Sequence, residues 1–445
     1  MMAIRVLCLL LASANFAYAD NNVPTIANDF VFTFFSAYRY PSDSVLLALV
    51  SNNNNKTANV VVTSPYSSFT TIRVSVAPYS VLKIPITPVS IQDQFPNYNN
   101  NGRIVVENKG IRLQSDLPVA VYAHSELNEG ISADSFMVIP AIHLGMQYVA
   151  VTSTQPLESA SNVIAVVAYQ DNTKVTIGSQ TVTINALQVA SVASFAVLSG
   201  TAISGNKPFG VISGCSSGSI SWDGGSGYEA VMLLPVNAWG TQFAAIPFLY
   251  LTTNYYQVVA NTDHTVVSAG STVIATLYAG EYRRFQIGAA LISSNYPIQL
   301  IQIGQYTGSV NNDLGSPFFL QLPSTDRMSN TNVLFQPTGF FEDFDEPLVF
   351  VLRIVTNLAG SGKIQLDGST INPLQFKHVP NSSFYYYETT TSNTTHSVST
   401  NTSGTQYSVM SYTYGGGEGC GFVCAYSLPI GNPAATTTAK PPIQL

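Results

Sequence analysis

Charge is what this chain has least of. Asp, Glu, Lys and Arg make up 9% of its 445 residues, against about 25% in an average soluble protein. Lys and Arg together number 17 and the net charge is −7. So few cations cannot neutralise a phosphate backbone or hold an anionic bilayer, which excludes nucleic acid and charged membrane surfaces as partners. No segment after residue 19 is long and apolar enough for a transmembrane helix, and TTTAKPPIQL at the C-terminus lacks the apolar tail of a lipid-anchor signal, so membrane insertion is not expected. A helical 3.6-residue stripe is missing throughout, which excludes an α-rich fold.

Histidine and cysteine are equally sparse. His124, His143, His264, His378 and His396 show no metal-ligand spacing and read as surface or loop residues, and the chain carries no cofactor-binding signature. Of four cysteines, Cys8 lies in the leader, leaving Cys215, Cys420 and Cys424. An odd number in an oxidising compartment predicts one disulfide and one thiol, the latter available for a disulfide-linked dimer. In a single extended strand Cys420 and Cys424 would stand about 13 Å apart, too far to bond. Either a turn at Gly421 joins them or one pairs with Cys215.

What is present begins with a leader. Residues 1–19 combine Arg5, an apolar run from Val6 to Ala12 and the small-x-small ending Ala17-Tyr18-Ala19, the pattern of a cleaved secretory signal. Four N-glycosylation sequons follow, at Asn55, Asn381, Asn393 and Asn401. The predicted product is a secreted, extracellular glycoprotein whose surface is built from uncharged Ser, Thr, Asn, Gln, Tyr and Gly.

The body of the chain repeats. The stretch EAVMLLPVNAWGTQFAAI (Glu229 to Ile246) is echoed by SFMVIPAIHLGMQYVAV (Ser135 to Val151), by FFLQLPSTDRMSNTNVLF (Phe318 to Phe335) and by FVCAYSLPIG (Phe422 to Gly431). The prolines Pro140, Pro235, Pro323 and Pro429 fall roughly 90 to 105 residues apart. Between them recur a strand ending in Asn or Asp, a hairpin turning on Gly178-Ser179, Gly270-Ser271 or Gly368-Ser369, and a proline-led run at Pro118, Pro208 and Pro297 read as a strand start. The repeats are bounded as 28–143, 144–238, 239–326 and 327–431, with a Thr/Pro tail at 432–445. Each holds about seven strands. The predicted fold is all-β, four tandem β-sandwich-like repeats of about 90–115 residues, with a ring-like, propeller-type closure as the alternative. The last repeat stops just after its Leu-Pro strand, which is expected of a whole four-module array.

KPFGVISG, a Gly/Ser loop holding Cys215, and then EAVMLLPVNAWGTQFAAIPF resemble the N-terminal domain family of IgG Fc-binding protein, and GIRLQSDLPVAVYAHS followed by DSFMVIPAIHLGMQYVAV resembles the preceding part of the same domain. The resemblance spans about Asn28 to Gly431. It implies a secreted, non-enzymatic protein of mucus or matrix with a defence or adhesion role.

For chemistry, Gly214-Cys215-Ser216-Ser217-Gly218 satisfies G-x-S-x-G but sits between two strands rather than on a strand-turn-helix, so a hydrolase using Ser216 is the third reading. Glu342 to Glu346 (EDFDE) is the one dense acidic run, read as a solvated loop, and Arg283-Arg284 reads as a strand-end pair. The stronger expectation rests on four loops before the Leu-Pro strands, Glu126 to Asp134, Cys215 to Gly227, Gln305 to Pro317 and Gly415 to Gly421, with Trp222, Tyr228 and Tyr306 as aromatic anchors for a protein or glycan ligand. A structural matrix component without a defined ligand is the alternative function.

Overall fold

The computed structural model describes residues 22–38, 41–92, 101–127, 132–154, 156–220, 225–304, 315–339, 348–415 and 418–432. Among these the regular structure is β-strand, interrupted only by single turns of 3-10 helix. The all-β expectation therefore holds, with β-sandwich-like units in tandem.

Each of the first three units is organised on one long strand, a hub, formed by Ile111–Leu127, Ala202–Ser219 and Ala290–Ile303. The first half of the hub pairs with the unit's opening strand and with a hairpin, which turns on Gly-Ser in the second and third units and through Ser64 to Ser68 in the first. Its second half pairs with the unit's second strand and with the strand that leads into Leu-Pro. The other two units repeat this arrangement. One strand thus feeds two half-sheets, and its apolar residues face a core shared between them.

The change of partner falls on Asp116-Leu117-Pro118, Asn206-Lys207-Pro208 and Asn295-Tyr296-Pro297. These prolines lie inside the hubs, not at strand starts as expected. A residue without an N–H is tolerated there because the ladder registers skip it. The Asp or Asn two positions earlier accepts a backbone N–H from the hairpin strand: Asp116 Oδ1 from Asn59 at 2.8 Å, Asn206 Oδ1 from Lys174 at 2.8 Å and Asn295 Oδ1 from Val266 at 2.7 Å. In the fourth unit no proline marks the corner, and the hub is divided into His396–Thr400 and Tyr407–Gly415.

At the joints the prolines Pro140 and Pro235 start the 3-10 turns Ala141–His143 and Val236–Ala238; in the third, Ser324 starts Thr325–Arg327. Trp239 is buried in its joint and donates its indole N–H to Leu234 O at 3.1 Å. Successive joints interlock. A Cβ on Gly145 would lie 2.4 Å from Cβ of Pro235, and one on Gly240 would lie 1.9 Å from Ser324 Oγ. Only glycine lets these backbones approach so closely.

The units also close on themselves. The strands Ala133–Met137, Ser226–Met232, Phe319–Gln321 and Glu418–Ala425 pack side by side, each against the next and the last against the first. Asn22–Pro24 pairs antiparallel with Ser427–Pro429, so the first and last described strands share one ribbon. A closed ring of sandwich-like units is the result. Its axis is filled by Phe136, Met232, Phe319 and Phe422, which leave a gap of about 20 Å³, room for one water.

Each seam is held by polar side chains of one unit reaching carbonyls of the unit before. Gln257 donates to Thr152 O at 3.2 Å, and Ser51 Oγ donates to Leu334 O. The strongest seam is at Arg353, which is fully buried. It meets Glu388 at 2.7 Å, donates to Ile246 O at 2.9 Å and Pro247 O at 2.7 Å, and lies over the rings of Phe248 and Tyr412. Ile104–Glu107 crosses the first seam outright, joining the second unit's sheet beside Val189–Ser194.

Candidate functional site at the hairpin end of the ring

The four inner strands run in the same direction. Ser132 Oγ accepts the N–H of Tyr228 at 2.6 Å, Gly227 packs on Pro317 O, and Gly315 packs on Glu418 O. All four hairpins joining a hub to its inner strand therefore open at one end of the ring. The turn residues 128–131, 221–224, 305–314 and 416–417, with Trp222 and Tyr306, lie outside the described residues, as do the leader, the acidic run Glu342 to Glu346 and the tail beyond Asn432.

Beneath this end lies a layer of buried acids that sequence reading missed, because Glu126, Asp134 and Glu418 read as parts of polar or Gly-rich loops and Glu229 as the start of an apolar run, whereas all four lie in strands. Asp134, Glu126, Glu229 and Glu418 are at most 2% exposed. Asp134 ties three units together, accepting N–H groups from Ser135 at 2.7 Å, from Ala230 at 2.7 Å and from Phe319 at 2.9 Å. Burial nonetheless pushes its carboxyl well above the usual range, against the effect of those three donors. Glu229 is pushed up to about 8 by burial, with the Arg284 guanidinium and Ser153 opposing.

One row of side chains has the composition of a catalytic triad. His124 Nε2 lies 2.7 Å from Glu126 Oε2 and His124 Nδ1 lies 2.8 Å from Ser135 Oγ, which continues to Thr338 Oγ1 at 2.8 Å. All are buried to 2% exposure or less, so the row offers no substrate an approach and instead ties the first unit to the fourth. Ser216 is likewise buried inside its hub strand, where its Oγ accepts the N–H of Ser161 at 2.9 Å. Among the described residues no group of three or more His, Cys, Asp or Glu is placed to hold a metal ion.

Several expectations are corrected. Tyr228 is not a loop anchor. It is 2% exposed, packs on Phe35 with ring centres 4.8 Å apart and donates its hydroxyl to Phe35 O at 2.9 Å. Cys215, Cys420 and Cys424 are all buried and unbonded, so neither the disulfide nor a thiol at the surface for a linked dimer is found. Cys420 and Cys424 share the extended strand Glu418–Ala425, and the third thiol lies in another unit. Burial pushes all three thiols up. His124 and His143 are core residues; His143 binds Pro429 O at 3.0 Å and Pro24 O at 3.2 Å at the ring closure. Arg283-Arg284 lies one residue inside the strand Tyr282–Ile287, with Arg284 partly buried, donating to Ser219 O at 3.5 Å and feeling the charge of Glu229. Of the sequons, Asn55, Asn381 and Asn401 are exposed and Asn393 is half-buried.

Fold and site together define a closed β-repeat scaffold that gathers four hairpins at one end and keeps its reactive side chains buried. The family described as IgGFc binding protein matches residues 134–415, more than half of the chain, and the chain belongs to that family. The match runs from the first inner strand to the end of the fourth unit's divided hub, a narrower span than the resemblance suggested. The family is named for binding and not for a reaction. No curated protein matches the chain. Among the described residues no helix is long and apolar enough to cross a membrane.

Proposed function

We propose that this chain is a secreted, non-catalytic glycoprotein that binds an extracellular protein through the four hairpins at one end of its ring. The observation that carries this reading is the common direction of the inner strands, which brings four separate connections to one face of a rigid support. Membership of a family named for antibody Fc binding supports a protein as the partner. The leader supports secretion, and the exposure of Asn55, Asn381 and Asn401 supports glycosylation there. A matrix component that crosslinks itself through a free thiol is less well supported, since all three thiols are buried.

The test replaces residues 128–131, 221–224, 305–314 and 416–417 with Gly/Ser linkers of equal length, which leaves the buried acids untouched. Binding is measured to immobilised immunoglobulin Fc and to proteins captured from mucosal secretions. Loss of capture with an unchanged melting temperature is the expected result. Capture that persists undiminished would overturn the assignment to the hairpin end.

A further inference from the structure

A second surface feature lies away from the hairpin end. The second strand of the first unit, Ser44–Asn52, starts beside Leu127 at a hairpin and runs away from it, so Asn53 stands about 30 Å further along. There the first and fourth units face each other across a cleft of about 460 Å³, the size of small-ligand pockets. Its floor is apolar, from Val333, Leu334 and Val398, and its walls carry Asn53, Asp367, Ser397 and Ser399, with no Lys or Arg among the lining residues.

Two features of the walls stand out. Tyr79 is 61% exposed and has a φ of +50°, a left-handed backbone that a bulky residue rarely adopts. Ser80 Oγ donates to Ala77 O at 2.8 Å and Tyr79 N donates to Asn54 O at 3.3 Å, so the turn that presents the ring is held from both sides. Opposite, the Asp367 carboxylate is fixed by His396 Nδ1 at 2.8 Å and by the N–H of Ser397 at 2.7 Å. A carboxylate accepts about four hydrogen bonds, and with its side chain 46% exposed Asp367 keeps acceptor capacity toward the cleft.

We propose that this cleft is a carbohydrate-binding site for a neutral sugar residue, a hexose or N-acetylhexosamine. An exposed aromatic ring offers a plate for the C–H face of a pyranose, and a pre-oriented carboxylate with neighbouring amide and hydroxyl groups suits vicinal sugar hydroxyls. The Asp367 carboxylate, whose neighbour among the lining residues is the His396 imidazole and not a Lys or Arg, disfavours acidic sugars. The site is separate from the hairpin end and its failure would leave the reading of that end intact.

The test uses the full secreted chain after enzymatic trimming of its N-glycans, titrated by NMR with galactose, N-acetylglucosamine, N-acetylgalactosamine and N-acetylneuraminic acid. At least one neutral sugar is expected to bind with a dissociation constant of about 1 mM, and neuraminic acid is expected not to bind. Tyr79→Ala should weaken binding about tenfold and Asp367→Asn should weaken it further, while Tyr250→Ala, an exposed tyrosine elsewhere, should not. The hairpin-replaced protein should bind the sugar as well as the parent does. Binding seen only after trimming would identify the chain's own glycan as the resident sugar and support the same chemistry. Absence of neutral-sugar binding, preference for the acidic sugar, or unchanged binding by Tyr79→Ala would overturn the proposal.

Discussion

Glu229 offers the sharpest test of the physical reasoning, because it couples the ring's stability to pH with a defined sign. It stands fully buried on an inner strand, opposite Cys215 in the ladder. Burial raises its carboxyl from 4.5 to about 8. The folded chain therefore keeps this proton across a range where the unfolded chain has released it. Stability from this group is fully present below pH 4.5 and is lost as pH rises to about 8. At about 1.4 kcal/mol per unit the loss amounts to roughly 5 kcal/mol. Glu229→Gln keeps the shape and the link to Ser153 but cannot ionise. Its stability should match that of the parent at pH 4 and exceed it progressively up to pH 8, with the difference constant above. Denaturant titrations of both proteins from pH 4 to pH 9 measure this, and titrating groups that do not interact with Glu229 cancel in the comparison. Parallel stability curves for the two proteins across that range would refute the argument.

Other outcomes follow from the same geometry. Glu388→Gln should cost about 3 to 5 kcal/mol, because it strips the buried Arg353 guanidinium of its counter-charge at the seam between the third and fourth units; the denaturation midpoint reports it. Gly240→Ala should cost about 1 to 3 kcal/mol by driving a methyl into Ser324, and Gly240→Ala combined with Ser324→Gly should recover part of the loss. A thiol-specific reagent should label none of Cys215, Cys420 and Cys424 in the native protein and all three after denaturation, whereas rapid native labelling would show that the inner strands open readily.

Much of the fold was legible because its signals are local. The Gly-Ser turns at Gly178, Gly270 and Gly368 all take positive φ, as tight hairpins demand. The Leu-Pro joints ended strands where proline forced a turn, and period-two runs of β-branched and aromatic residues became strands. Even the separation that argued against bonding Cys420 to Cys424 came from strand rise alone, and both lie in one strand. The site was less legible. Tyr228 read as a loop aromatic because it follows a Gly/Ser run, yet the ring pattern draws its strand into the axis, where Phe35 covers it. His124, Ser135 and Glu126 look like unrelated residues until the hub and inner strand pair His124 with Ser135.

By itself, then, the sequence determined the strand repertoire, the fourfold repetition and the low-charge surface, because hydrophobic period, turn chemistry and composition act within a few residues. Tertiary structure alone decided that the units close. Pairing Asn22–Pro24 with Ser427–Pro429 depends on the sum of rotations across four seams, which no local pattern records. Closure in turn decided which polar groups are buried, Asp134 between three units and Arg353 between two. It also decided that the hairpins share one end while Tyr79 and Asp367 meet across a seam at the other end of their strands.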